Sequence, residues 1–443
     1  MVLTHFASDV AYKYFCAGAL AVLHISNTPG GYIHHKGIGT IWGNPSSEDL
    51  YKHTYIPSAG ISYEDGIYLQ EMLKRNVVQV QINIKMENSI KTSHMPVATI
   101  AGKSEKYVLI SCHYDSWYEG ITDNATSDAI ALELARVIKQ HKIQLERTMK
   151  FAWWSGHSDG RYAGSAWFCD NEWMDLNKNC VGHINIDLAG CKCADQIRAR
   201  TTAMEGFAFT ADLIEEFTNK RPIDYIPMVR GADESFMGVN VPISIMLKYE
   251  PLPENRVSSC PSGGPWWHTD QDTIDKLDTN ILMRDAKING VMAILLANTL
   301  HLPVQPIYFV GEMEKFLEKI ATQLNDDFKI LDVQKAVKDF KLELVKRCLD
   351  NYSEDIIKKI CGELIRVTYT RASRYYQDPA VVELPFPGLR EACNLSETES
   401  EPCHYLAVKT TFKRQSNRII HQLDELKNIM VKEDKDEKRN TMG

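Results

Sequence analysis

The chain has 443 residues, of which 44% are hydrophobic and 24% charged, so it can build two or three domains with cores of their own and is unlike a disordered, collagen-like or coiled-coil chain. Fifty basic against fifty-eight acidic side chains leave a net charge of −8, which argues against nucleic acid as a partner. No window approaches the roughly 18 to 20 apolar residues of a membrane-spanning helix, so no membrane partner is expected.

The first residues show no basic start followed by an apolar core, which points to a cytoplasmic location. Eleven cysteines include one Cys-x-Cys pair (Cys191, Cys193) and no Cys-x-x-Cys pair. That usage fits reduced thiols better than a disulfide framework or a structural zinc ribbon.

In chain order, residues 7–15 read as a short helix and 17–26 as a buried strand running into the turn Asn27-Thr28-Pro29-Gly30-Gly31. Helical spacing over 65–75 (Ile67, Leu69, Met72, Leu73) precedes an alternating run over 77–85 that predicts a strand. This small α/β unit lacks first elements of its own, so the sequence is expected to begin inside a domain. From Pro96 onward, predicted strands at 97–100, 107–112, 148–154, 180–186 and 242–247 alternate with helices at 125–141, from 165, and at 207–218. The alternation predicts an α/β fold, a mostly parallel or mixed sheet sandwiched by helices. Ligands of such folds collect where strands end. After Pro303 amphipathic helices follow at 312–331, 334–349 and 354–369, then an extended link over 379–387 and a helix at 408–430. The charged tail 431–443 is expected to be frayed. These shifts divide the chain into 1–85, 86–305, 306–430 and the tail.

Four motifs lie at or beyond predicted strand ends: Ser111-Cys112-His113-Tyr114-Asp115, Gly120-Ile121-Thr122-Asp123-Asn124-Ala125, Asn185-Ile186-Asp187, and Trp267-His268-Thr269-Asp270 with Asp272-Thr273. A lone histidine after a strand is more often a structural residue than a ligand. Four such motifs in this order are a stronger signal, because imidazole and carboxylate are the usual ligands of catalytic zinc. His113, Asp123, Asp187 and His268 supply that chemistry.

Over about residues 96–302 the motif order resembles the co-catalytic zinc exopeptidases that include bacterial leucyl aminopeptidases, glutamate carboxypeptidase II and the transferrin receptor. Residues 1–85, with Trp42-Gly43 and Ile61-Ser62-x-x-Asp65-Gly66, resemble the later part of the protease-associated domain of the larger members. The helical region 306–430 resembles their dimerisation domain, which implies a homodimer. The resemblance also implies that the opening of the insert, and what precedes it, lie outside this sequence. It makes Asp123 the carboxylate bridging one or two zinc ions, with His113 and Asp187 on one side and His268 on the other. Asp115 would orient His113 through its carboxylate. Asp272 or Asp275 could serve structurally near His268, but helix capping or a solvated loop is the favoured reading. The stretch Arg230-Gly231-Ala232-Asp233-Glu234-Ser235-Phe236 resembles a loop that borders the substrate pocket.

In the family two adjacent glutamates, a general base and a metal ligand, follow the strand that resembles 151–154. Here His157 and Ser158 stand at those positions. Three outcomes stay open. His157 ligates the metal while Asp159, Glu119 or Glu234 takes the proton; or His157, with a reference pKa of about 6.5, is the base beside a single ion; or the site is inactive and the chain is a transferrin-receptor-like scaffold. The substrate expected is a peptide or acyl-amino-acid-like amide, with a non-peptidase amidase as a further alternative. Tyr114, His157 or Arg161 are the candidate donors to the oxyanion. Aromatic residues Trp117, Tyr118, Trp266 and Trp267 flank the motifs, and Arg161 and Arg230 are the cations seen near them. A neutral or aromatic N-terminal residue is therefore expected rather than an acidic one.

Overall fold

The computed structural model describes residues 1–443 except 8, 9, 55, 87, 88, 203, 223, 257–263, 348, 350, 351, 382, 396–400, 442 and 443. First come β1 (Val2–His5), α1 (Val10–Cys16), β2 (Val22–Ile25), β3 (Ser58–Ile61) and α2 (Tyr63–Leu73). The fully buried β2 lies between β1 and β3 in a three-stranded parallel sheet. Ser62 caps α2 by accepting the Asp65 N–H at 3.0 Å. At Gly66 a Cβ would stand 2.3 Å from Ile25 Cγ2, so the glycine is what lets α2 lie against β2. Residues 77–85 form no strand. Val77 is 94% exposed, and an alternating run that meets no partner edge has nothing to pair with.

The second unit contains β4 (Val97–Ile100), β5 (Ser104–His113), α3 (Thr126–Gln140), β6 (Arg147–Trp154), α4 (Ala163–Asn171), α5 (Trp173–Asn179), β7 (Cys180–Asn185), β8 (Gln196–Thr201), α6 (Met204–Thr218), β9 (Tyr225–Pro227), β10 (Ser244–Glu250) and α7 (Thr279–Asn298). Its seven-stranded sheet has the order β4-β6-β5-β7-β10-β8-β9. The central strands β6, β5, β7 and β10 run parallel, while β4 and β8 are antiparallel to their neighbours β6 and β10. The sheet is thus mixed, sandwiched by helices as the sequence pattern predicts.

Alternation along the apolar strands sends side chains to both faces. Val108, Ile110, Cys112, Met149, Phe151 and Trp153 join a core with Ile130 and Leu134 of α3 and Ile288 and Met292 of α7. Tyr107, Leu109, Ala152 and Trp154 pack on the other face with Phe168 and Leu176. A strand buried on both faces reads as a continuous apolar run, which is why these strands are visible in the sequence.

The C-terminal helices α8 (Pro306–Ala321), α9 (Leu331–Val345), α10 (Glu354–Tyr369), the short α11 (Pro387–Arg390) and α12 (Pro402–Thr441) share a separate apolar core. The helix expected over 312–331 starts six residues earlier, at Pro306, a residue suited to a first helical position, and it stops at Ala321. The charged tail is not frayed, since α12 continues to Thr441. Asp434 explains part of this: Arg347 Nε donates to it at 2.9 Å and the Tyr352 hydroxyl at 2.5 Å. No helix among the described residues is long and apolar enough to cross a membrane.

Candidate metal centre

Because β5, β6, β7 and β10 are parallel, their C-terminal ends share one edge of the sheet. His113 is the last residue of β5, Asp187 follows β7, His157 follows β6, and His268 comes from the loop after β10. Asp123 sits just ahead of α3, in a loop clamped by the buried Asp272. That carboxylate accepts the N–H groups of Thr122 at 3.0 Å and Asp123 at 3.1 Å, and the Thr122 hydroxyl at 2.8 Å. Asn124 ties the same loop to the end of β7, donating to Ile186 O at 3.2 Å and accepting the Leu188 N–H at 3.1 Å. Asp272 is therefore a buried clamp of this loop and not the helix cap or solvated-loop residue expected.

The buried Asp123 carboxylate faces two histidines, with Oδ1 3.0 Å from His113 Nε2 and Oδ2 2.9 Å from His268 Nε2. His113 Nε2 is also 3.5 Å from Asp187 Oδ1. The rings of His113 and His157 stack with centroids 3.7 Å apart, and one ligand atom each from His113, His157 and Asp187 lie within 4.8 Å of one another. The structure thus gathers His113, Asp123, Asp187, His157 and His268 at one place.

All three imidazoles are anchored through Nδ1. His113 Nδ1 meets Asp115 O at 2.8 Å, His157 Nδ1 meets Asp233 Oδ2 at 2.6 Å, and His268 Nδ1 meets His35 O at 2.6 Å. An acceptor on Nδ1 fixes the tautomer that leaves Nε2 with its lone pair, the arrangement typical of metal-ligating histidines. Buried His113 Nε2 and Asp187 Oδ1 have no hydrogen-bond partner. Burial raises the Asp123 carboxyl, but His113 and His268 outweigh it and hold it well below the usual range. Burial likewise opposes charge on His113, yet Asp123 and Asp187 carry its pKa well above the ordinary value. The two carboxylates therefore demand positive charge between them.

Several expectations need correction. Asp115 orients His113 through its backbone carbonyl; its carboxylate instead accepts the N–H groups of His157 at 3.0 Å and Ser158 at 2.8 Å. Glu234 is fully buried, accepts from Ser244 Oγ at 2.8 Å on one oxygen and has no hydrogen-bond partner on the other, and burial pushes its carboxyl up to about 7. Tyr114 donates to His94 O at 2.5 Å, and Arg161 donates to Ala380 O, so neither is set to meet an oxyanion. Trp153 and Trp154 pack in the core, as the predicted strand over 148–154 implies, while Trp267 stacks on His268 at 3.6 Å and Trp117 meets its edge at 6.3 Å.

The expected shortage of cations also fails. Arg200 and Lys248 project from the same face of the paired strands β8 and β10, and both feel the charge of Asp187. Lys248 is 4% exposed, and burial pushes its pKa down to about 7. Arg200 Nε is buried without a hydrogen-bond partner. The alternating pattern Gln196-Ile197-Arg198-Ala199-Arg200-Thr201 was the available signal, with the arginines on one face and the apolar residues on the other.

The sequence model of peptidase family M28 matches residues 97–291. This segment is a peptidase family M28 domain. Leucine aminopeptidase 2 of Trichophyton equinum is 27% identical over 240 residues, covering 51% of this chain and 45% of that protein. Aminopeptidase NAALADL1 of Mus musculus is 24% identical over 305 residues, 59% of this chain and 40% of its own length. Carboxypeptidase Q of Xenopus laevis is 28% identical over 176 residues, 38% and 34% of the two chains. The chain thus spans less than half the length of each of these relatives. Among solved structures, a zinc aminopeptidase from Bacillus subtilis matches with a TM-score of 0.49 at 18% identity, over 68% of this chain and 71% of that one. The aminopeptidase of Aneurinibacillus sp. strain AM-1 gives 0.48 at 22% identity, over 68% and 70%. All five residues that gather at the metal centre, His113, Asp123, His157, Asp187 and His268, lie inside the M28 domain; His35, which anchors His268, lies outside it.

Proposed function

We propose that this chain is a metal-dependent amide hydrolase of aminopeptidase type whose zinc is held by His113, Asp123, Asp187, His157 and His268. The observation that carries this reading is the set of three imidazoles, each anchored at Nδ1, around two buried carboxylates. Imidazole nitrogen and carboxylate oxygen are the donors zinc takes in catalytic sites, and the unpartnered His113 Nε2 and Asp187 Oδ1 fit such an ion. When bound, zinc supplies Lewis acidity toward water and an amide carbonyl.

The chain's own residues do the rest. Asp123 sets one oxygen opposite His113 Nε2 and the other opposite His268 Nε2, and Asp115 keeps the 157–158 backbone in place. With Glu234 engaged by Ser244 and His157 by the metal, Asp159 is the carboxylate on this loop left to accept a proton. It lines a cleft of about 1120 Å³ with Asp115, Ser155 and Gly156, beside the metal centre and not including its five residues. Arg200 and Lys248 favour a substrate with a carboxylate near the scissile amide, because an anion there relieves two poorly solvated cations. Residues 1–85 would serve as a partial protease-associated-like insert, and the helices of 306–430 would pair two chains.

The test is hydrolysis of a panel of acidic, neutral and aromatic aminoacyl amides and acyl-amino acids with and without chelator. Chelator-sensitive turnover, fastest on the acidic members, is expected. Turnover indifferent to chelator would overturn the metal reading. Absence of turnover with the fold intact would move the assignment to a binding scaffold.

A further inference from the structure

The Nδ1 side of His157 opens onto a buried chain of polar groups. Asp233, 0% exposed, holds that nitrogen with Oδ2 and accepts the Ser165 hydroxyl on Oδ1 at 2.8 Å. The Ser165 and Ser235 hydroxyls are 2.9 Å apart, and the Trp42 indole donates to Ser235 Oγ at 2.8 Å. Ala232 and Asp233 both adopt left-handed backbone, with φ of 51° and 63°, a conformation unfavourable for side-chain-bearing residues. Asn185 Nδ2 holds this bend by donating to Ala232 O at 2.8 Å. Among the described residues, His157 is the only basic group within ion-pair distance of Asp233.

We infer that Asp233 is the positioning residue of a His157 metal ligand: it accepts Nδ1–H, fixes the tautomer and leaves Nε2 for the ion beside His113 and Asp187. This rests on the metal-centre reading above. It explains how a chain with His157 and Ser158 where relatives carry two glutamates still assembles a compact donor set. The carboxylate has not been lost from the site; it stands behind the imidazole, supplied by a different loop. Trp42 extends the support to a segment outside the M28 domain.

The test uses Co²⁺ with the whole protein, measuring the dissociation constant by chelator competition and the visible absorption of the bound ion. Asp233→Ala is expected to weaken binding about 10- to 100-fold and shift the absorption. Asp233→Asn, whose amide oxygen can still accept from Nδ1–H, should stay within about threefold of the parent. In a His157→Ala background, Asp233→Ala should add less than about twofold, because its effect passes through the missing ring. Should Asp233→Ala lose its near-ultraviolet circular dichroism, Ser165→Ala loosens Asp233 more gently and is expected to give a smaller loss that also vanishes without His157. An unchanged dissociation constant in Asp233→Ala, equal losses with and without His157, or an Asp233→Asn variant as weak as Asp233→Ala would overturn the inference while leaving the metal centre standing. A parent chain that takes up no cobalt would instead overturn the metal reading itself.

Discussion

His113 and Asp187 reach the site by a different route from His157. The first two are set by the ends of neighbouring central strands, β5 and β7, which a buried sheet holds whatever the loops contain. His157 rides on an irregular loop with left-handed backbone at Gly156, Arg161 and Tyr162. Its place comes from Asp115, which grips the N–H groups of residues 157 and 158. A grip on the backbone is indifferent to side-chain identity. The comparison teaches that the two halves of the centre are placed by different means: the sheet dictates the first, and a backbone clamp plus a remote carboxylate sets the second.

The largest effect is expected where the two halves of the donor set meet. Asp123→Ala leaves both His113 and His268 without their shared partner, and turnover should fall by at least about a thousandfold together with metal uptake. Retention of both would break the account of Asp123 as the bridging group. Asp115→Ala releases the loop but leaves the strand ends alone, so metal affinity should drop about 10- to 100-fold with no change in melting of the sheet core. An effect no larger than that of an exposed carboxylate such as Asp270→Ala would show that the loop holds itself.

Lys248→Met sharpens the comparison on the substrate side. KM for acidic substrates should rise on the order of tenfold, equivalent to about 1.4 kcal/mol, while neutral substrates change little. Equal changes on both would remove the cationic pair from recognition. The last effect concerns stability and leaves the metal centre alone. Glu234 has its pKa raised by burial to about 7, so the fold binds a proton that the unfolded chain releases near pH 4.5. Its contribution is therefore present below that value and lost as pH climbs through 7. Glu234→Gln stays neutral, and chemical denaturation should show a gain on the order of 3 kcal/mol at pH 8 that disappears by pH 4. An unchanged pH profile would mean that Glu234 ionises normally.

Much of the architecture was legible because it depends on local pattern. The runs at 107–112 and 148–154 are apolar on both faces, and His113, Asp123, Asp187 and His268 stand at fixed offsets from strand ends. β8 was hidden because arginines interrupt its apolar residues, and α7 because apolar residues such as Met283 and Leu295 also sit on its exposed side and blur the amphipathic period. The run 77–85 misled for the opposite reason, since alternation marks a strand only if an edge waits for it. Asp233 was not legible as the partner of His157. The two lie 76 positions apart, and their contact exists only once the fold brings the loop after β6 against the loop between β9 and β10. Lys248 gave a similar difficulty, because a lysine in a strand reads as a solvent-facing residue until the fold buries it.

The most direct test of the account is the zinc content of the dialysed protein and of its His157→Ala variant, measured per chain by elemental analysis. The account, which makes His157 a ligand, predicts at least one equivalent in the parent and a clear loss in the variant. Equal zinc in both would contradict the placement of His157 on the metal, and none in either would contradict the metal centre altogether.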